Sequence, residues 1–116
     1  MPVVPNGEEE VKLYELPGGS TVEVRRVPNA ADYVAYVDLK GIYPNEDEIA
    51  QDIGRTELLE VTEGTLEVIH NGETVILNPG DKLQINDGDT YSINGVAKVT
   101  VYVHDEAGGT TQILKK

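Results

Sequence analysis

Glu57-Leu58-Leu59-Glu60-Val61-Thr62-Glu63-Gly64-Thr65-Leu66-Glu67-Val68-Ile69-His70-Asn71-Gly72-Glu73-Thr74-Val75-Ile76-Leu77 is the stretch that decides the fold. Apolar and polar residues alternate through it with period two, the signature of strands that bury one face. Two turns divide it, Glu63-Gly64 and Asn71-Gly72. Asn-Gly between alternating runs is the strongest local signal for a hairpin, because both residues accept positive φ. Three antiparallel strands follow, over 57–62, 65–70 and 73–77.

The same grammar continues outward in both directions. Downstream, Pro79-Gly80-Asp81 turns the chain into 82–85 and Asn86-Asp87-Gly88-Asp89 turns it into 91–93, with further strands expected over 99–103 and 110–114. Upstream, strands over 11–14, 21–25 and 33–39 are separated by Pro17-Gly18-Gly19 and Pro28-Asn29. About nine or ten short, evenly spaced strands in one chain predict a β-sandwich or barrel. Residues 45–53 break the pattern: Asn45 can cap a first turn rich in Glu46, Asp47 and Glu48, with Gly54 as a stop, which predicts a short helix there.

The chain has 116 residues, enough for one hydrophobic core and not two. Residues 1–10, with two prolines and Glu8-Glu9-Glu10, read as a flexible N-terminal arm, and 11–116 as a single β-domain. Trp and Phe are absent, so the interior must be filled by Val, Ile, Leu and some of the 6 Tyr.

With 9 Lys+Arg against 21 Asp+Glu, the formal net charge is −12. Polyanions are repelled at long range, which argues against nucleic acid and anionic membranes as partners. The surplus either serves solubility alone or favours a cationic partner. With no cysteine there are no disulfides, thiolate nucleophiles or Cys-type metal sites. No apolar run approaches the roughly 18 residues of a membrane span, and the first residues lack a basic-then-apolar leader, so the expected location is cytoplasmic.

From Glu57 to Gly95 the chain resembles the cupins, β-barrels of jelly-roll (double-stranded β-helix) type whose two signature segments supply a central metal site. In the first segment, two histidines one residue apart precede a glutamate and, after six further residues, a glycine. Glu57 and Gly64 hold that last spacing, but the histidine positions fall on Gln51 and Ile53 or on Ala50 and Asp52. In the second segment Gly80, Asn86, Gly88, Tyr91 and Gly95 stand where the family has glycine, proline, glycine, histidine and asparagine. The resemblance thus implies a single-domain, all-β cupin-like barrel that lacks the usual metal-binding histidines, with no metal and no cofactor.

Alternation places Glu57 on one strand face with Leu59 and Val61. If that face lines the barrel, desolvation raises the carboxyl pKa toward neutrality; otherwise Glu57 is an edge residue reaching solvent. Tyr91 alternates with Ile93 and is either a hydroxyl donor to a ligand or a core tyrosine bonded to backbone. Gln51, Asp52 and Asn86 are candidate polar contacts at the rim, or a solvated helix and turn. His70 and His104, isolated at strand ends, read as surface residues rather than a ligand pair, and Asn86–Asp89 as a plain acidic turn rather than a calcium loop.

The leading expectation is a metal-independent cupin-like protein that binds a small polar or sugar-like ligand in its barrel, with Glu57 as acceptor or base and Tyr91 as donor. A metal-free cupin enzyme is the second. Leu39-Lys40-Gly41-Ile42-Tyr43 followed by Glu57 and Gly64 resembles the pyrimidine/purine nucleoside phosphorylases, although the insertion after Tyr43 is longer, and a phosphate would need Arg25, Arg26 or Arg55. Cupin-type sugar isomerases and epimerases belong to the same class, but their usual histidine base has no counterpart. The third expectation is a non-catalytic interaction protein with a solidly packed barrel. Edge addition through 11–16 or 110–114 suggests a homodimer.

Overall fold

The computed structural model of the chain describes residues 9–27 and 30–116. The expected arm over residues 1–8 and the Pro28-Asn29 turn lie outside that range. Eight strands form one curled antiparallel sheet: β1 (Glu10–Glu15), β2 (Thr21–Arg26), β3 (Asp32–Tyr43), β4 (Glu48–Gly64), β5 (Leu66–His70), β6 (Glu73–Leu77), β7 (Lys82–Ile85) and β8 (Thr90–Lys115). The main path runs β1-β2-β3-β8-β4-β7, and β5 joins β6 to β8.

β8 organises this sheet because its partners change along its length. Its residues pair with β5 near Tyr91–Asn94, with β3 between Ile93 and His104, and with β4 from Ala97 to Lys115. A strand that hands its edges to different neighbours in turn bends the sheet around an interior. Three expected strands, over 91–93, 99–103 and 110–114, are therefore segments of β8, which is why eight strands are seen rather than nine or ten.

The short helix expected over 45–53 does not form. Glu48–Ile53 is the first third of β4, paired with Lys115 to Thr110 on one side and, at Ala50 and Gln51, with Tyr91 and Thr90 on the other. The acidic turn closes on itself without a cap, since Asn45 Nδ2 donates to Glu48 Oε1 at 2.6 Å and the Glu48 backbone N–H donates to the Asn45 carbonyl at 3.1 Å. Two available strand edges nevertheless outweigh weak local propensity.

The Asn71-Gly72 turn closes the β5–β6 hairpin as its sequence dictates. Asn71 and Gly72 both have positive φ, and His70 faces Glu73 across the ladder. At Gly95 the constraint is contact: φ is +141°, and a Cβ there would sit 2.5 Å from the Thr65 carbonyl oxygen. Only glycine lets these segments pass so closely.

The core is aliphatic. Leu39, Leu66, Ile85, Val61 and Val68 are fully buried, joined by Leu59, Val99, Val101 and Val103 from the long strands. Inward residues are odd-numbered on β3 and, apart from the buried Ser92, on β8 between Tyr91 and Val103. On β4 the parity switches partway. Ala50 and Asp52 are buried before Gly54; Glu57, Leu59 and Val61 are buried after it. The switch is a bulge between Ile53 and Arg55, opposite a jump on β8 from Thr110 to Asp105. Gly54 takes φ +63° and its carbonyl lies against Gly109, where a Cβ would collide with it. A bulge re-aims side chains, and this one turns both an even and an odd residue inward.

Candidate functional site

Between β1–β2–β3 and the facing parts of β4 and β8 the barrel leaves a cavity of about 500 Å³. Its walls are largely aliphatic, including Val22, Val37, Leu39, Leu59, Ile93 and Val101. Polar groups gather at one end, where Tyr33, Tyr43, Arg55, Glu57, Tyr91 and Thr111 line it. The solidly packed barrel that an interaction-only protein would have is not what this sequence builds.

Glu57 is only 8% exposed, placed inward by the odd parity of β4 after the bulge. Tyr91 donates its hydroxyl to Glu57 Oε2 at 3.3 Å. Burial, reinforced by the nearby Asp52 charge, pushes the Glu57 carboxyl up to about 7, against the lowering effects of Arg55 and the Tyr91 hydrogen bond. Tyr91 is held well above the ordinary tyrosine value, first by burial and then by the charges of Glu57 and Asp52. The pair is thus a carboxyl poised to gain or lose a proton near neutrality beside a hydroxyl that stays protonated.

Asp52 is not a rim residue. It is fully buried, its Oδ1 accepts from the Thr111 hydroxyl at 2.7 Å, and its Oδ2 has no hydrogen-bond partner. Burial drives its carboxyl up to about 6, only partly offset by Thr111 and Arg55. An orphaned buried oxygen costs about 1–3 kcal/mol, and more when it is charged, which favours the protonated form.

Arg55 connects these groups. Its guanidinium grips Asp105 with Nε to Oδ1 at 2.6 Å and Nη2 to Oδ2 at 3.3 Å, and its Nη1 donates to Thr111 Oγ1 at 2.7 Å. The bulge makes this possible, since it brings Arg55 directly opposite Asp105. A line of hydrogen bonds therefore runs from Asp105 through Arg55 and Thr111 to Asp52.

Gln51 and Asn86 lie outside the cavity wall. Gln51 donates to the Gly88 carbonyl at 3.0 Å and accepts from Gln112 at 2.7 Å. The Asn86 amide N–H donates to Asp89 Oδ2 at 2.8 Å and its side-chain oxygen accepts from Gln84. Gln51 ties the 86–89 turn to the start of β4, where Gly88 also donates to the Asp52 carbonyl at 2.6 Å, and Asn86 braces the turn itself. His70 bonds Asp89 at 2.8 Å and His104 bonds Asp32, both away from the cavity lining. Arg25 pairs with Glu23 at the surface, and Arg26 stacks 4.6 Å from the Tyr33 ring centre.

Thr111, Asp105 and Tyr33 belong to the site without having been legible in the sequence, where Tyr43 entered only through the Leu39–Tyr43 resemblance. Thr111 and Asp105 arrive through the far end of β8, and only Gly108-Gly109 marks the kink that delivers them. Among the described residues no group of three or more His, Cys, Asp or Glu is arranged to hold a metal ion.

The fold and its interior define the class: a small antiparallel β-barrel of cupin type whose cavity presents a buried carboxyl and a tyrosine. Solved structures agree. Pac13, described as a unique nucleoside dehydratase, superposes with a TM-score of 0.77 at 12% identity, covering 91% of this chain and 86% of its own. A Streptomyces variant of the same protein bound to uridine gives the same score. The salicylate 1,2-dioxygenase of Pseudaminobacter salicylatoxidans gives 0.67 at 20% identity over 86% of this chain, which spans 32% of the dioxygenase. KdgF from Halomonas sp. gives 0.64 at 13% identity, over 82% of this chain and 86% of that one. All share the cupin fold, and this chain has it too. No protein-family model matches the sequence, and no curated protein matches it. No helix among the described residues is long and apolar enough to cross a membrane.

Proposed function

We propose that this is a metal-independent cupin-fold protein that takes a small ligand, polar or sugar-like at one end, into the cavity beside Glu57 and Tyr91. The observation that carries the reading is the cavity itself: about 500 Å³ within the range of small-molecule sites, mostly apolar, with convergent polar groups at one end. In this reading Glu57 accepts from the ligand, Tyr91 fixes the carboxyl, and Thr111 offers a further polar contact. A ligand that binds only the folded state raises its apparent stability. A thermal-shift screen of sugars, nucleosides and divalent metals tests this: shifts with organic ligands support it, whereas a large shift with zinc, nickel or iron, together with stoichiometric metal in the purified protein, contradicts it.

A second reading is catalytic, and the carboxyl near 7 favours it. A group half-protonated at neutral pH, hydrogen-bonded to a tyrosine in an apolar enclosure, suits general acid–base work. Proton transfer on a nucleoside or sugar, in the manner of the dehydratase it resembles in fold, is the reaction class to assay. Phosphorolysis has less support, because Arg55 is already engaged by Asp105. Turnover lost in Glu57→Gln but kept in Gln51→Ala would support the catalytic reading.

We also propose a cytoplasmic homodimer. Among the described residues β1 pairs only with β2, and all six of its residues are exposed, an edge suited to a second copy.

A further inference from the structure

Glu57 has a second carboxylate oxygen, and no protein donor among the described residues hydrogen-bonds it: the Tyr91 hydroxyl reaches Oε2 alone. The residue is 8% exposed and opens on the cavity. The charges around it are unbalanced. From β4 it faces Asp52 and Arg55, from β8 Asp105 and Tyr91, and from β3 Tyr33 and Tyr43. Arg55 is the one cation among the described lining residues, and both oxygens of Asp105 hold it while Thr111 takes another of its N–H groups. Asp52 behind it is fully buried with an unpartnered oxygen. Glu15 adds a further carboxylate to the cavity wall.

Such an interior lacks a positive charge. An anionic head group would meet a guanidinium already neutralised and at least two carboxyls, a strongly unfavourable desolvated arrangement. A cation would meet an open carboxylate oxygen and the ring of Tyr43, whose face attracts positive charge, while the Tyr33 ring already carries Arg26 4.6 Å from its centre. The rest of the wall is hydrocarbon, and the net charge of −12 draws cations toward the protein from a distance.

We infer that the cavity is built for an organic cation, a protonated amine on an apolar body, with the ammonium group at Glu57 and the hydrocarbon among Val22, Val37, Leu39, Ile93 and Val101. This rests on the small-molecule reading above and narrows it. Binding displaces the proton that Glu57 holds in the empty cavity, so affinity rises with pH. With the Glu57 carboxyl at about 7, one proton released on binding makes the amine bind about tenfold tighter at pH 8 than at pH 6.

Three matched probes test it by calorimetry on the full chain: cyclohexylmethylamine, cyclohexylmethanol and cyclohexanecarboxylate. The amine stays protonated from pH 6 to pH 8. The expected order is amine over alcohol over carboxylate, with the tenfold pH gain confined to the amine. Glu57→Gln, nearly isosteric and uncharged, abolishes both the preference and the pH gain, whereas Gln51→Ala, outside the cavity wall, leaves both unchanged. If the alcohol or the carboxylate binds best, or the amine shows no pH gain, the cation assignment is wrong although the cavity still binds small molecules. If none of the three binds at millimolar concentration, the small-molecule reading fails with it.

Discussion

Glu57 and Asp52 carry a pH signature that can be read without a ligand. A carboxyl whose folded pKa is raised holds its proton more tightly in the native state than in the unfolded chain. Its contribution is therefore fully present at low pH and is lost as pH rises through the folded value. For Glu57 the window runs from about 4.5 to about 7, and for Asp52 from about 3.8 to about 6. The Glu57 shift corresponds to a loss on the order of 3 kcal/mol across its window. Urea denaturation is expected to show higher stability at pH 5 than at pH 8, and Glu57→Gln is expected to recover roughly 1–3 kcal/mol at pH 8 with little change at pH 5. Equal wild-type midpoints at the two pH values would count against buried, proton-holding carboxyls. Thr111→Val takes the sole donor from Asp52 and is expected to destabilise by about 1–3 kcal/mol, whereas Thr111→Ser restores most of it; a silent Thr111→Val would remove Thr111 from the network.

Period-two alternation made the inward direction of Glu57 and Tyr91 readable, because Leu59 and Val61 share a strand face with Glu57 and Ile93 shares one with Tyr91. Asp52 was not readable in the same way. Counting back from Glu57 with constant parity turns Asp52 outward, and only the bulge at Gly54 reverses that. Gln51 and Asn86 were placed at the rim because the family's ligands occupy that part of the chain. The Gln51 side chain instead bonds the Gly88 carbonyl of the neighbouring turn and that of Asn86 accepts from Gln84, local demands that family spacing does not reveal.

Among the elements, β4 and β8 hold the site together, and two glycines permit their geometry. Gly54→Ala forces a Cβ residue to φ +63° with Gly109 at 3.4 Å, while Gly95→Ala drives a Cβ to 2.5 Å from a backbone oxygen that cannot rotate away. The expected costs are about 1–2 kcal/mol for Gly54→Ala and more, about 2–4 kcal/mol, for Gly95→Ala. Thermal denaturation that ranks them the other way would contradict the packing described. The exposed β1 edge makes a separate prediction: Leu13→Glu, at a residue 73% exposed, leaves the fold intact and shifts sedimentation from dimer toward monomer. A wild-type chain that sediments as a monomer at high concentration would end that proposal.

Hairpins were legible at this scale because Asn71-Gly72 and the glycine turns act locally. The fused β8 was not, since its continuity depends on partners from β3, β4 and β5 that are remote in sequence. Nor was the strand at 48–53, where Asn45 and the acidic residues after it imitate a helix start in sequence while two strand edges claim the backbone.

At the scale of the molecule, the protein keeps the cupin frame and fills its interior with a different kind of chemistry. Glu57 and the glycine turns hold spacings that resemble the family's, while Asp52 is buried, Gln51 bonds the neighbouring turn and Tyr91 donates to Glu57. What remains is an apolar chamber with proton-holding carboxyls at one end and an arginine that is spent on structure. The acidic surface and the acidic interior have the same sign, so both disfavour anions and both would attract a cation.

The most direct test is the titration of the Glu57 carboxyl carbon by NMR in the free protein. The account predicts a midpoint near 7, falling toward the ordinary value when the chamber is filled by an amine. A midpoint near 4.5 in the empty protein would mean that the carboxyl is solvated, and the interior described here would not exist.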